Sequence, residues 1–318
     1  MRTRVAMVVA IVLAVTITLV VDQPLAGAAP QGIEWGATNN NQAAVESAQG
    51  RPFAFLRIYR SIGQDVYGPD LRQQVASGHQ LFLSIGPWDS ANAPIKLSAI
   101  VNGSYDTYFA TQFDKLNAIP ATTYFAFDHE PTSAAHTRSC DDPSNCAAQF
   151  VAAWQHLHAL AVSRGDTKFL WAWTMMSTFF RLNNDATATT WFPGASNVDR
   201  VGLDAYPANC DGTAANGTAQ TLVSLTAVGR TWASTHVPAM PVIVPEWGAP
   251  SSSDAVRAAW FQRTYDDAKA GKLGQVTAMS YFNNSKGTRC AWALDTKAPS
   301  FSVFAKMATD PFFGATSA

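Results

Sequence analysis

Eight short apolar runs recur along the chain, at residues 33–37, 53–59, 81–85, 123–127, 169–173, 198–205, 242–245 and 276–282. Each has the length of a β-strand and little internal alternation, the pattern of a strand covered on both faces in a parallel sheet. Helical patterns lie between them, at 70–76, 105–116, 147–163, 221–234 and 254–270, with a last turn or two at 301–307. Alternating strand and helix predicts parallel pairing, because a crossover helix must return the chain to the same end of the sheet. Eight such units without a Pro/Ser-rich linker or an internal repeat predict the α/β class and a single (β/α)8 TIM barrel. A doubly wound sheet shares the local pattern, but no G-x-G-x-x-G follows the first run.

The opening segment reads as an address rather than part of that barrel. Arg2 and Arg4 precede an apolar run of 17 residues at 5–21, and Ala26-Gly27-Ala28 offers small residues to a signal peptidase. The expected division is a signal peptide at 1–28 and one catalytic domain at 29–318, exported and cleaved; a retained N-terminal membrane anchor is the alternative. Four cysteines in an exported chain predict two disulfides, for which three pairings exist. Cys140 and Cys146 flank a turn-rich stretch and pair locally; Cys210 and Cys290 pair by elimination. A zinc site is the weaker reading, since no Cys-x-x-Cys or adjacent His ligand pair accompanies them. The net charge of −1 leaves no basic excess to neutralise phosphates, so nucleic acid is not an expected partner. Neither a cofactor nor a metal is expected, nor stable membrane association after cleavage, and the chain is expected to be a monomer.

Acidic side chains are unevenly divided. Only four of the 23 are Glu, at Glu34, Glu46, Glu130 and Glu246. Two of these four terminate strands: the fourth run ends Phe127-Asp128-His129-Glu130 and the seventh ends Val244-Pro245-Glu246-Trp247. Barrel chemistry sits at that end of the strands. A retaining glycosidase needs such a pair, one carboxylic acid to protonate the leaving oxygen and one carboxylate to attack the anomeric carbon. Either Glu alone reads equally as a helix cap or an ion-pair partner; their joint placement carries the argument. Glu34 and Glu46 find no partner motif and are assigned structural roles. Asp204, two residues before Tyr206, is read as a structural hydrogen-bond acceptor.

Sugar rings present C–H faces that a flat indole covers. Charged residues make up only 14% of the chain, whereas Trp occurs 10 times, so tryptophans are natural candidates to bind a neutral ligand. Trp35, Trp88, Trp173, Trp247 and Trp292 lie at or beyond strand ends and are the candidate platforms. Trp154, Trp232 and Trp260 fall in helical patterns and are assigned to the core. Trp191, in a long loop, reads either as a rim subsite or as a loop anchor.

With these residues the chain resembles glycoside hydrolase family 26, the β-mannanase-like family of the retaining barrel clan. The resemblance rests on His129-Glu130, on Trp191-Phe192-Pro193-Gly194 followed by Val198-Asp199-Arg200-Val201-Gly202-Leu203-Asp204-Ala205-Tyr206, and on Pro245-Glu246-Trp247-Gly248. It implies Glu130 as acid/base, Glu246 as nucleophile, His129 as an active-site polar contact and Tyr206 as a hydroxyl beside the nucleophile. The implied activity is hydrolysis, with retention, of an extracellular polysaccharide of β-mannan or β-glucan type. The chain departs from the family where Ala126 replaces an Arg and Pro131-Thr132 replaces Met-Asn. It departs again where Ile85-Gly86-Pro87-Trp88-Asp89 replaces a Trp-His pair. Because of these departures, a catalytically silent glycan-binding barrel is the alternative reading.

Overall fold

A computed structural model describes residues 32–38, 40–284 and 289–314; the expected signal peptide at 1–28 lies outside them. Eight parallel strands close into a barrel in sequence order. They are β1 (Glu34–Thr38), β2 (Phe55–Ser61), β3 (Gln80–Gly86), β4 (Thr123–Phe127), β5 (Leu170–Met176), β6 (Arg200–Asp204), β7 (Val242–Trp247) and β8 (Val276–Tyr281). The helices are α1 (Gln42–Gln49), α2 (Pro69–Ala76), α3 (Leu97–Val101), α4 (Asp106–Asn117), α5 (Cys146–Ser163), α6 (Ser177–Leu182), α7 (Asp185–Thr190), α8 (Leu222–His236), α9 (Asp254–Lys269) and α10 (Pro299–Thr309). All eight predicted strands are present, so the barrel reading holds. The sequence patterns miss α1, α3, α6 and α7, each of eight residues or fewer and too short for a helical period to stand out.

Side chains on a strand alternate between faces, which divides the apolar residues into two layers. Phe55, Phe82, Tyr124, Ala126, Ala172, Ile243 and Ala278 fill the inside of the barrel. Their strand neighbours, among them Leu56, Leu83, Phe125, Trp173 and Val244, join the larger layer that also contains helix residues such as Phe113, Trp154 and Phe304. Glu34 belongs to the inner face, where the Tyr124 hydroxyl donates to its Oε2 at 2.9 Å. Glu46 accepts from Gln42 and from the Phe53 amide and lies 2.7 Å from His79 Nε2. Both glutamates are structural, as their lack of a motif predicts.

Both expected disulfides form, Cys140–Cys146 and Cys210–Cys290. The second joins the segment after β6 to the segment after β8. The segment after β7 is bound into the same corner, since the Ser251 amide donates to Cys210 O and the Ala291 amide to Ser251 Oγ. Three neighbouring strand ends are thereby fastened on one side of the barrel mouth. No helix among the described residues is long and apolar enough to cross a membrane.

Candidate active site

Each carboxylate of the expected pair is aimed by an irregularity at its strand end. After β4 the backbone turns sharply: Asp128 and Glu130 adopt φ of 49° and 55°, a left-handed region that non-glycine residues enter only when their surroundings hold them there. Those surroundings are the adjoining strands, with the Asp128 amide donating to Ile85 O and the Glu130 amide to Thr174 O. In β7 the register slips between Val244 and Trp247. Pro245, which has no amide to donate, sits in that slip. The Glu246 carbonyl remains bonded to the Ala205 amide at 2.8 Å.

Glu130, Asp204 and Glu246 converge, with one carboxyl oxygen from each lying within 4.8 Å of the others. Glu246 is bonded by two hydroxyl donors and faced by a cation. The Tyr59 hydroxyl donates to Oε1 at 2.6 Å and the Tyr206 hydroxyl to Oε2 at 2.8 Å. Arg57 Nη2 lies 3.6 Å from Oε1, with its guanidinium over the rings of Phe82 and Tyr59. Burial and the charge of Glu246 push both phenols well above their ordinary range, so they remain donors. Both Glu246 oxygens are therefore acceptors, the state in which a carboxylate can attack carbon. The three carboxyls are compact enough to ligate a cation, but Arg57 already supplies a buried positive charge there, so the set suits a protonated pair better than a metal.

Glu130 differs in kind. Burial first, and then the charge of Glu246, push its carboxyl up to about 8, so it is protonated at neutral pH. Asp204 is fully buried and neither of its oxygens accepts a hydrogen bond from a donor group among the described residues. That corrects its reading as a structural acceptor. A buried carboxyl without donors is costly to ionise. Its affinity for a proton is raised well above the usual range, by burial and then by Glu246 and Glu130. Asp204 is thus a second carboxyl that keeps its proton beside Glu130, the oxygens of the two lying within 4.8 Å of one another.

His129 Nε2 lies 3.9 Å from Glu246 Oε1. Burial and the charge of Arg57 hold the imidazole well below its ordinary range, so it acts as a neutral polar neighbour. Its ring lies 5.2 Å from Tyr59 and 5.2 Å from His136. His136 is in turn hydrogen-bonded to the buried Asp128 and meets Trp88 edge-on at 4.3 Å. Trp88 is half-buried, and its indole covers Gly86 so closely that a Cβ there would stand 2.4 Å from the ring. Trp292 borders Tyr206 at 5.3 Å and covers Gly248 in the same way. It is only 5% exposed, so it backs Tyr206 rather than offering an open face.

Three other candidate platforms are corrected. Trp35, Trp173 and Trp247 are fully buried in the layer between strands and helices. Trp35 packs on Phe304 and Phe313, Trp173 on Phe180 and Trp232, and Trp247 on Phe261 and Tyr281. Alternation is the reason: Glu246 faces inward, so its chain neighbour Trp247 must face the helices. Arg57 and Tyr59 were missed by the sequence reading, although their spacing of two on β2 marks one face of the strand.

Residues 137–282 match the profile of glycosyl hydrolase family 26, a span that begins after Glu130 and includes Glu246. No curated protein matches the chain. Among solved structures the fold resembles an endo-β-1,4-mannanase from Cellulomonas fimi, with TM-score 0.66 and 18% identity over 90% of this chain and 73% of that one. It also resembles a family 26 β-mannanase from Bacteroides ovatus, with TM-score 0.63 and 15% identity over 89% of this chain and 90% of that one. A mannanase from Bacillus subtilis gives TM-score 0.57 at 16% identity, over 86% and 85% of the two chains. At these identities the structural likeness speaks for the barrel, and the family profile for the chemistry class.

Proposed function

We propose that this chain, a family 26-like O-glycosyl hydrolase, is exported by its N-terminal segment and cleaves β-linked polysaccharide of mannan type with net retention. Glu130 acts as acid/base and Glu246 as nucleophile. The observation that carries the reading is the opposed state of two carboxyls whose oxygens lie within 4.8 Å. One holds its proton up to about pH 8, while the other accepts hydrogen bonds on both oxygens. Such closeness suits the retaining geometry of about 5–5.5 Å rather than the roughly 6.5–9.5 Å that leaves room for an inverting water.

In the first step Glu130 protonates the glycosidic oxygen as the C1–O bond breaks, and Glu246 Oε forms an ester to C1 from the opposite face. The negative charge on Glu246 is then gone, and the Glu130 carboxylate takes a proton from water. The hydroxide adds to C1, the ester breaks, and Glu246 is regenerated. The mannan-type substrate is supported by the mannanases that share the fold, and β-glucan is the nearest competitor. Proton NMR of the first product formed from purified chain, on mannan and on mixed-linkage β-glucan, tests both points. Early β-anomer from mannan is expected; early α-anomer would sink retention, and cleavage of glucan alone would sink the substrate assignment. Glu246→Ala should lose turnover on either polymer, with azide restoring release of an α-glycosyl azide from an activated aryl glycoside.

A further inference from the structure

The turn that carries Glu130 takes left-handed backbone twice in three residues, at Asp128 and at Glu130 itself, and non-glycine residues keep that conformation only where neighbours enforce it. Backbone bonds to Ile85 O and Thr174 O hold the two amides. A side-chain bond adds a third hold: His136 Nδ1 donates to the carboxyl of Asp128. Both partners are buried, at 2% and 7% exposure, and no other side chain donates to Asp128 among the described residues. We infer that Asp128 and His136 are a positioning pair for Glu130, whose bond closes the segment 128–136 at its base and keeps the acid aimed at the glycosidic oxygen. The inference rests on the hydrolase reading and adds to it two residues that act through Glu130.

Within that segment Glu130 is held from both sides. The Ser133 amide donates to Glu130 O and the His136 amide to Ser133 O, so a short bonded path runs from Glu130 to His136 and returns through the imidazole to Asp128. A positioning group must itself be immobile, and His136 is. Its ring meets Trp88 edge-on at 4.3 Å and His129 at 5.2 Å. Just downstream, the Ser139 hydroxyl donates to Pro87 O, and Lys96 Nζ donates to Arg138 O and Cys140 O. These bonds fasten the far end of the segment to the loop after β3, so the Asp128–His136 bond refers the acid's turn to a fixed neighbour. Stability is a poor reason for such a pair, because desolvation of two buried groups offsets most of their attraction. Burial pushes the Asp128 carboxyl up, and His136 alone draws it back. What the bond secures is direction, and a displacement of about 1 Å at a reacting group costs on the order of a hundredfold in rate.

The test separates aim from folding by the leaving group. In 2,4-dinitrophenyl β-mannobioside the departing phenolate needs no proton, so kcat/KM for its first step is indifferent to the acid; in mannopentaose the acid is required. The cellulose-derived pair replaces these if glucan is the polymer cleaved. His136→Phe keeps a ring against Trp88 and His129 and loses the donor. The ratio of kcat/KM for the pentaose to that for the aryl glycoside is expected to fall at least tenfold, with the aryl glycoside's own kcat/KM within about threefold of the wild type. His136→Asn, which returns a donor near the place of Nδ1, is expected to recover most of the ratio. Asp128→Gly removes the acceptor while suiting left-handed backbone, so it is expected to show the same fall and decides the matter if His136→Phe does not fold. An unchanged ratio in a folded variant, or equal losses on both substrates, overturns the positioning role and leaves the hydrolase reading standing. Failure of the wild type to cleave either substrate pair overturns that reading and this inference with it.

Discussion

Glu246 is held by two phenols and faced by one guanidinium, so removing either phenol should weaken it in the proposed role of nucleophile without unfolding the barrel. A hydrogen bond to a charged group contributes about 1.5–3 kcal/mol, so Tyr206→Phe and Tyr59→Phe should each lower kcat by roughly ten- to a hundredfold. Steady-state kinetics on one soluble oligosaccharide, with circular dichroism to verify the fold, measures this. Glu130 gives a pH prediction of definite sign. The proposed acid role requires its proton, so kcat/KM should decline as pH rises through about 8. In Glu246→Gln the neighbouring charge is gone, and carbon-13 NMR of labelled Glu130 should find its titration at lower pH. If it stays near 8, burial alone accounts for the shift. Asp204 lies within 4.8 Å of Glu130 and keeps its proton there, so Asp204→Asn, which keeps an uncharged donor in that place, should retain more activity than Asp204→Ala; equal losses would show that Asp204 only fills space.

At the level of elements, the loops after β6, β7 and β8 are secured by one disulfide and a small set of backbone bonds. Cys210–Cys290 closes a separation of 80 residues, for which the chain-entropy argument gives about 4.5 kcal/mol. Arg257 reinforces the same corner by donating to Ala291 O and Ala293 O. The double replacement Cys210→Ser and Cys290→Ser should therefore lower Tm by several degrees and raise KM, because Tyr206 and Trp292 stand on the loosened loops. A variant with lowered Tm and unchanged KM would show that the tether serves the fold alone. The short helices α6 and α7 are held by packing instead, with Phe179, Phe180 and Ala188 in the layer outside the strands and Phe180 against Trp173 and Trp232.

For the molecule as a whole, a buried acid that keeps its proton links stability to pH. The folded-state affinity of Glu130 for a proton is raised from about 4.5 to about 8. Between those values the native chain binds more protons than the unfolded chain, so this group's contribution falls as pH rises through the window. Glu130→Gln removes the titration and should therefore gain Tm relative to the wild type as pH rises from about 4.5 to about 8, with the two converging at the acid end. A constant difference across the window would mean that Glu130 is not the linked group. The same substitution should abolish hydrolysis of unactivated substrates, the trade between stability and activity expected where function keeps an ionisable group out of water.

Strand and helix order, the barrel class, the disulfide pairs and the carboxylates Glu130 and Glu246 were all legible in the sequence, because each rests on periodicity, spacing or scarcity along the chain. The facing of individual side chains was legible in principle, since Trp247 beside an inward Glu246 has to point outward, yet position at a strand end misplaced Trp35, Trp173 and Trp247 in the cleft. The company of Glu246 was not legible. Arg57 and Tyr59 precede Glu246 by nearly the whole length of the barrel and meet it only because β2 and β7 both end at the mouth of a closed sheet. Asp204 shows the same limit from the side of energy. Its sequence neighbours suggest an ordinary acceptor, whereas closure of the barrel buries it without donors beside Glu130, and that surrounding, rather than residue type, decides which carboxyl keeps its proton.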